Sequence, residues 1–445
     1  MRKSYTFCML CCLLSFFAQG KVTGISVPNL FPHFGSGLNS PVASNSRIIG
    51  QTFLKFSGGS FLPFDSITYS YSFGRGGSLS DEMDDHYVNF DNSITYLYEQ
   101  TNGVYRYQFH RSQNYSQNNN PISYTSKSWN LSNNSWRDSS RFVYNYNSQE
   151  TRLESTMFQI WQNAWFDHVN FQNVFDGAGN LVKMNSTVFA MEFVYDASNR
   201  LITRTEKKFS FSIGWYYSNR YNFSYDNNSN MTFYTVEKHD GSSWGNVEKF
   251  DMSYTPTSPG FELTATTEYA WVNNNWSITG RHLFGYNSSH NKISDEYQYW
   301  DGNANSFQKA ILLQWTYNNF SQPLSYFSRT WDVSANAWIA TTDDFLYRYY
   351  YQTYSPTSVA PVGSEKVDIV LFPQPAQNSL SVLVSSGDSR QYDVQILDMQ
   401  GKLLKQTQSK EQQLSISVND LPSGNYVLRL NSKEHQYNRQ FAVSH

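Results

Sequence analysis

The sequence predicts an all-β protein. It reads as an array of antiparallel β-hairpin repeats, a meander forming an extended or curled sheet, followed by a small C-terminal Ig-like β-sandwich. Three observations predict this. A phrase returns about every 30 residues, the mark of repeated supersecondary units: an aromatic residue, Asp or Asn, a short polar turn, then an apolar residue. Copies begin at Tyr115, Tyr146, Phe175, Tyr195, Tyr225, Tyr286 and Tyr317. The composition holds 33 Tyr, 32 Phe and 12 Trp, ring-bearing residues that suit a pleated surface, with Asn, Ser and Gly between them for tight turns. Past residue 354 the rings thin out, and Val and Leu alternate with polar residues instead.

Residues 1–20 read as a signal peptide. Arg2 and Lys3 give the positive start, Phe7 to Phe17 an apolar stretch too short to span a bilayer, and Ala18-Gln19-Gly20 a small-residue cleavage site. Cys8, Cys11 and Cys12, all 3 cysteines, lie inside it, so neither a disulfide nor a thiolate zinc site is expected in the mature chain. Residues 21–63 form a lead segment.

Residues 64–354 are the repeat region. Phe64-Asp65-Ser66-Ile67-Thr68-Tyr69 and Phe90-Asp91-Asn92-Ser93-Ile94-Thr95-Tyr96 nearly match each other, Tyr254-Thr255-Pro256 is a degenerate copy, and the short step from Phe175 to Tyr195 implies a trimmed hairpin. The copy after Tyr317 shows the unit. Tyr317 to Leu324 is a turn, Leu324 to Trp331 an outgoing strand, Asp332 to Ala337 a second turn, and Trp338 to Tyr349 the returning strand. The second turn often sits between two rings: Trp129 and Trp136, Trp161 and Trp165, Trp271 and Trp276, Trp331 and Trp338, with Trp300 and Phe307 as a variant. Such rings are first a cross-strand clamp. The sharper reading makes Trp271, Trp276, Trp331 and Trp338 ligand-stacking residues for sugars. The repeat resembles the tyrosine–aspartate repeats of Rhs-type surface and shell proteins, which are β-hairpin arrays.

Residues 355–366, rich in Pro, Ser and Gly, read as a linker. Residues 367–445 carry three ordered motifs: Phe372-Pro373-Gln374-Pro375-Ala376; a strand ending in Asp398, Gly401 and Lys402; and Leu421, Gly424 and Tyr426 followed by Leu428 and Leu430. With these motifs the segment resembles the type A C-terminal sorting domain of the type IX secretion system of Bacteroidetes-group bacteria. It departs from that family in Gln374, where Asn is usual, and in a tail without a basic end. The resemblance implies a sorting signal built on the quoted residues and engagement with the type IX machinery. It also implies passage through the periplasm to the cell surface or beyond, with possible attachment to surface lipopolysaccharide.

The formal net charge is −3 and basic runs are missing, so nucleic acid is not an expected partner. Beyond the leader, whose apolar stretch is itself too short, no segment is long and apolar enough for a transmembrane helix. Catalytic motifs do not appear, and the 9 histidines are scattered. Asp81-Glu82-Met83-Asp84-Asp85-His86 reads as a solvated acidic turn rather than a calcium loop. Asp167 and His168 are adjacent strand residues that point to opposite faces. Neither a catalytic residue, a metal site nor a cofactor is therefore expected. The sequence reads as a non-enzymatic exported repeat protein, a scaffold or adhesion surface for a glycan or a host or surface protein. A carbohydrate-binding protein is the alternative, and a secreted hydrolase a weaker one. An outer-membrane barrel is disfavoured, since strand faces are polar on both sides and the chain ends in His445.

Overall fold

The computed structural model describes residues 46–72, 88–118, 120–258, 260–353, 368–372, 376–385, 391–398, 402–410, 413–431 and 436–443. The leader, the linker and the acidic stretch 81–86 lie outside them. Ser46 to Thr353 holds strands β1 to β21 of one antiparallel sheet. Strand follows strand from β1 (Ser46–Ser57), β2 (Ser60–Ser70) and β3 (Asn92–Glu99) to β19 (Pro323–Asp332). β19 then pairs with β21 (Phe345–Thr353), and β21 pairs back onto β1, from Ser46 opposite Thr353 to Lys55 opposite Phe345. The repeat period and composition leave open whether such a meander coils, folds over as a sandwich or closes, and here it closes into a twenty-strand barrel. Twist accumulates from strand to strand, and bulges bend the strands further. Both act in nearly every hairpin here, with register shifts such as Ser224/Tyr225 and Glu268/Tyr269. The closing strand β1 lies in the stretch read as a lead segment.

A correction concerns the last hairpin. The returning strand expected from Trp338 to Tyr349 is broken into β20 (Ala337–Ile339), which pairs with β19 alone, and β21. Asp344 enforces the break. Its buried carboxylate accepts hydrogen bonds from Ser328 Oγ at 2.7 Å and from the Thr341 backbone N–H at 2.6 Å, which fixes a turn where the strand would have run.

The repeated phrase acts through its two ends. At Tyr225-Asp226, the Asp226 carboxylate accepts from the backbone N–H groups of Asn228 and Asn230, both at 2.8 Å. Ser229 takes φ 65° to complete the turn. Asp176, Asp196, Asn287 and Asn318 repeat this arrangement, with Gly179, Asn199, His290 and Ser321 at positive φ. Asx side chains are suited to this because they mimic a backbone turn. The aromatic end reaches backward. Tyr225 donates its hydroxyl to the carbonyl of Leu201 at 2.8 Å, the apolar residue that closes the preceding copy. Tyr195 does the same to Leu181, Tyr286 to Leu263 and Tyr317 to Lys292. Each copy is thus tied to the one before it. The trimmed hairpin appears as β9 (Leu181–Asn185) and β10 (Phe189–Tyr195).

Directly opposed residues of antiparallel strands share a face. Following the register, Phe142, Phe158, Val169, Met184, Met191, Phe193, Phe223 and Tyr234 fall on one face, and all are buried in one cluster that reaches Tyr349 and Ile48. We call this the packed face.

Among the described residues the C-terminal segment has seven strands in two sheets. One sheet is β22 (Asp368–Phe372), β23 (Ser379–Ser385) and β26 (Gln413–Ser417). The other is β24 (Tyr392–Leu397), β25 (Leu403–Ser409), β27 (Gly424–Asn431) and β28 (Gln436–Val443). Inward-facing Leu380, Val382, Val394, Ile396, Leu428 and Leu430 make its core. Among the described residues no helix is long and apolar enough to cross a membrane.

Candidate functional site

The sequence motifs of residues 367–445 map onto the core and turns of the sandwich. Ala376 is fully buried, and its N–H donates to the Ala442 carbonyl at 2.7 Å. Asp398 closes a turn: its carboxylate accepts from the Lys402 N–H at 2.8 Å, and its own N–H donates to the Lys402 carbonyl at 3.0 Å. Leu421 and Tyr426 are buried, and the Tyr426 hydroxyl donates to the Pro422 carbonyl at 2.6 Å. Gly424 opens β27. Lys402 is exposed. The Phe372 side chain, Pro373, Pro375 and Gly401 lie outside the described residues. The motif therefore spells mainly the residues that make this sandwich fold. A cavity of about 310 Å³ opens beside it, lined by Val394, Ile396, Lys405, Gln406, Thr407, Ile416 and Ser417. Its charged group is engaged: Lys405 donates to the Ser417 carbonyl at 2.6 Å and pairs with Asp420.

In the barrel, the tryptophans flanking the second turns are direct cross-strand partners. Trp271 meets Trp276 edge-on with centroids 4.8 Å apart, and Trp331 meets Trp338 in the same way at 5.0 Å. All four are half-buried. They stand on the face opposite the packed cluster, because Trp271 is three residues from Glu268 along β15 (Gly260–Val272) and strand side chains alternate. Cations cover some of these rings. Lys309 sits 4.5 Å above Trp331, and Arg281 lies 4.0 Å from the Phe307 ring. The edge-on pair is the geometry of a clamp, and the half-exposed ring area left over is what a ligand could meet.

The structure also brings together residues that the sequence did not single out. His282 of β16 (Asn275–Tyr286) lies between two carboxylates of neighbouring strands. Its Nδ1 is 2.7 Å from Asp295 on β17 (Lys292–Asp301), and its Nε2 is 3.4 Å from Glu268 on β15. Burial works against the charged imidazolium, but hydrogen bonds to Asp295 and Glu268 outweigh it and raise the pKa to about 9. Nearby in kind is Asp65, which burial pushes up to about 7 against the pull of Arg111 and Lys55. Arg204 and Glu206, both buried on the packed face, form an ion pair at 3.3 Å. The signal for the His282 set was its spacing, since the residues sit one per strand at about one strand plus one turn apart. Asp167 and His168 do not act together: Asp167 accepts from Gln159, while His168 lies edge-on to Phe158. Among the described residues no cluster of His, Cys, Asp and Glu could hold a metal ion.

Residues 370–444 match the family described as the secretion system C-terminal sorting domain. The chain thus carries a type IX sorting tail, which implies interaction with that secretion machinery and delivery to the cell surface or outside. Comparison with curated proteins finds no match. Among solved structures, a porin-like protein from Bacteroides uniformis is 9% identical, with coverage of 68% of this chain and 98% of its own and a TM-score of 0.29. PorZ of Porphyromonas gingivalis, a surface component of the type IX system, is 9% identical, covering 88% and 81%, with a TM-score of 0.16. A protein of unknown function from Bacteroides fragilis is 16% identical, covering 35% and 89%, with a TM-score of 0.20. Scores this low carry no functional inference.

Proposed function

We propose that this chain is a non-enzymatic protein exported by the type IX route, and that its barrel serves as a scaffold or adhesion surface at the cell exterior. The observation that carries the reading is the sorting domain at residues 370–444, joined to a repeat barrel whose conspicuous side-chain groups are tied up structurally. Both imidazole nitrogens of His282 face carboxylates, so this set acts as a clasp across three strands rather than as an acid–base pair awaiting substrate. Ion pairs within the strands argue against a lipid-facing wall. Ionised groups stand within strands on both faces, with Arg204 and Glu206 on the packed side and Arg220, Glu237, Lys249 and Asp251 on the other, where a membrane barrel needs an uninterrupted apolar band outward. The test is fractionation of a type IX-competent host expressing the chain with and without residues 367–445. The intact chain should reach the surface or medium and the truncated chain should stay in the periplasm. Equal release of both would overturn the reading.

A second reading is carbohydrate binding by the hairpin-end rings. The half-exposed Trp271, Trp276, Trp331 and Trp338 on one face favour it.

A further inference from the structure

The face opposite the packed cluster changes character around the barrel. Along β10, β11 (Leu201–Ser210), β12 (Gly214–Tyr225) and β14 (Trp244–Thr257), cations are paired with acids: Lys207 with Glu192 at 2.8 Å, Arg220 with Glu237 at 2.6 Å and Lys249 with Asp251 at 2.9 Å. On β16, β18 and β19, Arg281, Lys309 and Arg329 are held differently. Arg281 donates to the Gln298 side-chain oxygen at 2.7 Å and stacks on Phe307. Lys309 of β18 (Ser306–Tyr317) lies over Trp331 and, at 5.7 Å, over Trp338. Arg329 lies 5.7 Å from Phe327 and 6.0 Å from Phe61. Among the described residues no carboxylate pairs with any of the three. The register sets Arg281 opposite Gln298, and Gln298 opposite Lys309. Arg281, Gln298 and Lys309 therefore form one row across β16, β17 and β18. Phe307 lies against its start at Arg281, and Trp331 and Trp338 receive its end.

We propose that this row binds a carboxylated polysaccharide, a polymer of pyranose rings carrying uronate groups. The proposal rests on the carbohydrate-binding reading and names its ligand class. With its Nε–H given to Gln298 and its face set against Phe307, Arg281 keeps its Nη N–H groups for a planar acceptor, and a carboxylate matches such a pair in two parallel bonds. The Gln298 bond and the Phe307 contact restrict Arg281 beforehand, so less freedom remains to be lost on binding. The half-exposed indoles offer apolar area to the C–H faces of sugar rings. Paired strands repeat at about 4.8 Å, so cations on alternate strands, as Arg281 and Lys309 are, meet a polymer that carries charge at a regular interval. Where the cations already hold acids, on β10 to β14, the same rings lack this complement.

The experiment measures binding of the purified full-length protein to polygalacturonate and alginate, with fully methyl-esterified polygalacturonate, dextran and single-stranded poly(dT) as comparisons. We expect retention on one or both uronates, little on the neutral polymers, and weakening by about tenfold or more in the double variant Arg281→Gln with Lys309→Gln. The matched pair Lys207→Gln with Arg220→Gln, on the ion-paired side, should bind as the parent does. Melting curves confirm that each variant folds. Four results would each overturn the proposal: binding to neither uronate, equal binding to the ester, preference for poly(dT), or equal losses in both double variants. Purified protein is used throughout, so failure here leaves the export reading standing, and failure of export leaves this one standing.

Discussion

In the C-terminal sandwich, Leu380, Val382, Ile396 and Leu428 are almost wholly withdrawn from solvent, and the core is mostly aliphatic. In the barrel the buried cluster is rich in Phe, Tyr and Met, its tyrosine hydroxyls reach back to backbone carbonyls, and it tolerates a buried Arg204–Glu206 pair. The difference follows from size. A short domain buries a small share of its surface and must concentrate apolar contact in one place. A repeat array distributes stability over local units and the contacts between neighbours, so no single side chain has to carry as much.

The comparison breaks first at the sandwich centre. Leu428→Ala should cost about 2–5 kcal/mol through the lost contacts and the cavity left behind. In a domain this small that should abolish folding of residues 367–445, and secretion should fall with it, as read by fractionation and by proteolysis of the purified protein.

Next in size is the pH dependence of the barrel. His282 has a folded pKa near 9, above its ordinary value of 6.5. Its stabilising contribution is therefore complete below about pH 6.5 and is lost as pH rises through about 9. Asp65 is pushed up to about 7 from 3.8, so its ionisation costs stability as pH rises across that interval. Melting temperature should fall in two limbs. His282→Gln should flatten the upper limb, and Asp65→Asn should flatten the lower one while raising the melting temperature at pH 8. Unchanged limbs in these variants would refute the assignment.

Smaller still is a single link between copies. Tyr225→Phe removes the hydroxyl bonded to Leu201 and should cost about 1 kcal/mol in urea unfolding. Trp271→Ala removes one edge-on pair and should cost about 0.2–1 kcal/mol. If either matched the effect of Leu428→Ala, stability in the barrel would not be distributed as argued.

The turn chemistry of the repeat was legible because it is local: an Asx oxygen, a residue able to take positive φ and an aromatic lie within a few positions of one another. The sorting motif was legible for a related reason, since its spacing records which strand residues face one core. Closure was not legible. It depends on Ser46 to Lys55 meeting Phe345 to Thr353 across the whole repeat region, and β1 carries no copy of the phrase. The break before β21 was hidden too, because Asp344 works through Ser328 on a neighbouring strand. The set of Glu268, His282 and Asp295, and the row from Arg281 to Lys309, come from separate strands. Only the register makes them neighbours.

The seam between β1 and β21 has a consequence for life outside the cell. A sheet whose last strand is paired with its first leaves neither of those two strands as an open end, so crowded copies lack that template for fibril growth. The sandwich is built the other way. Its flanking strands β25 and β26 are each paired on one side only among the described residues, which leaves strand-by-strand recruitment open at the tail and closed at the barrel seam.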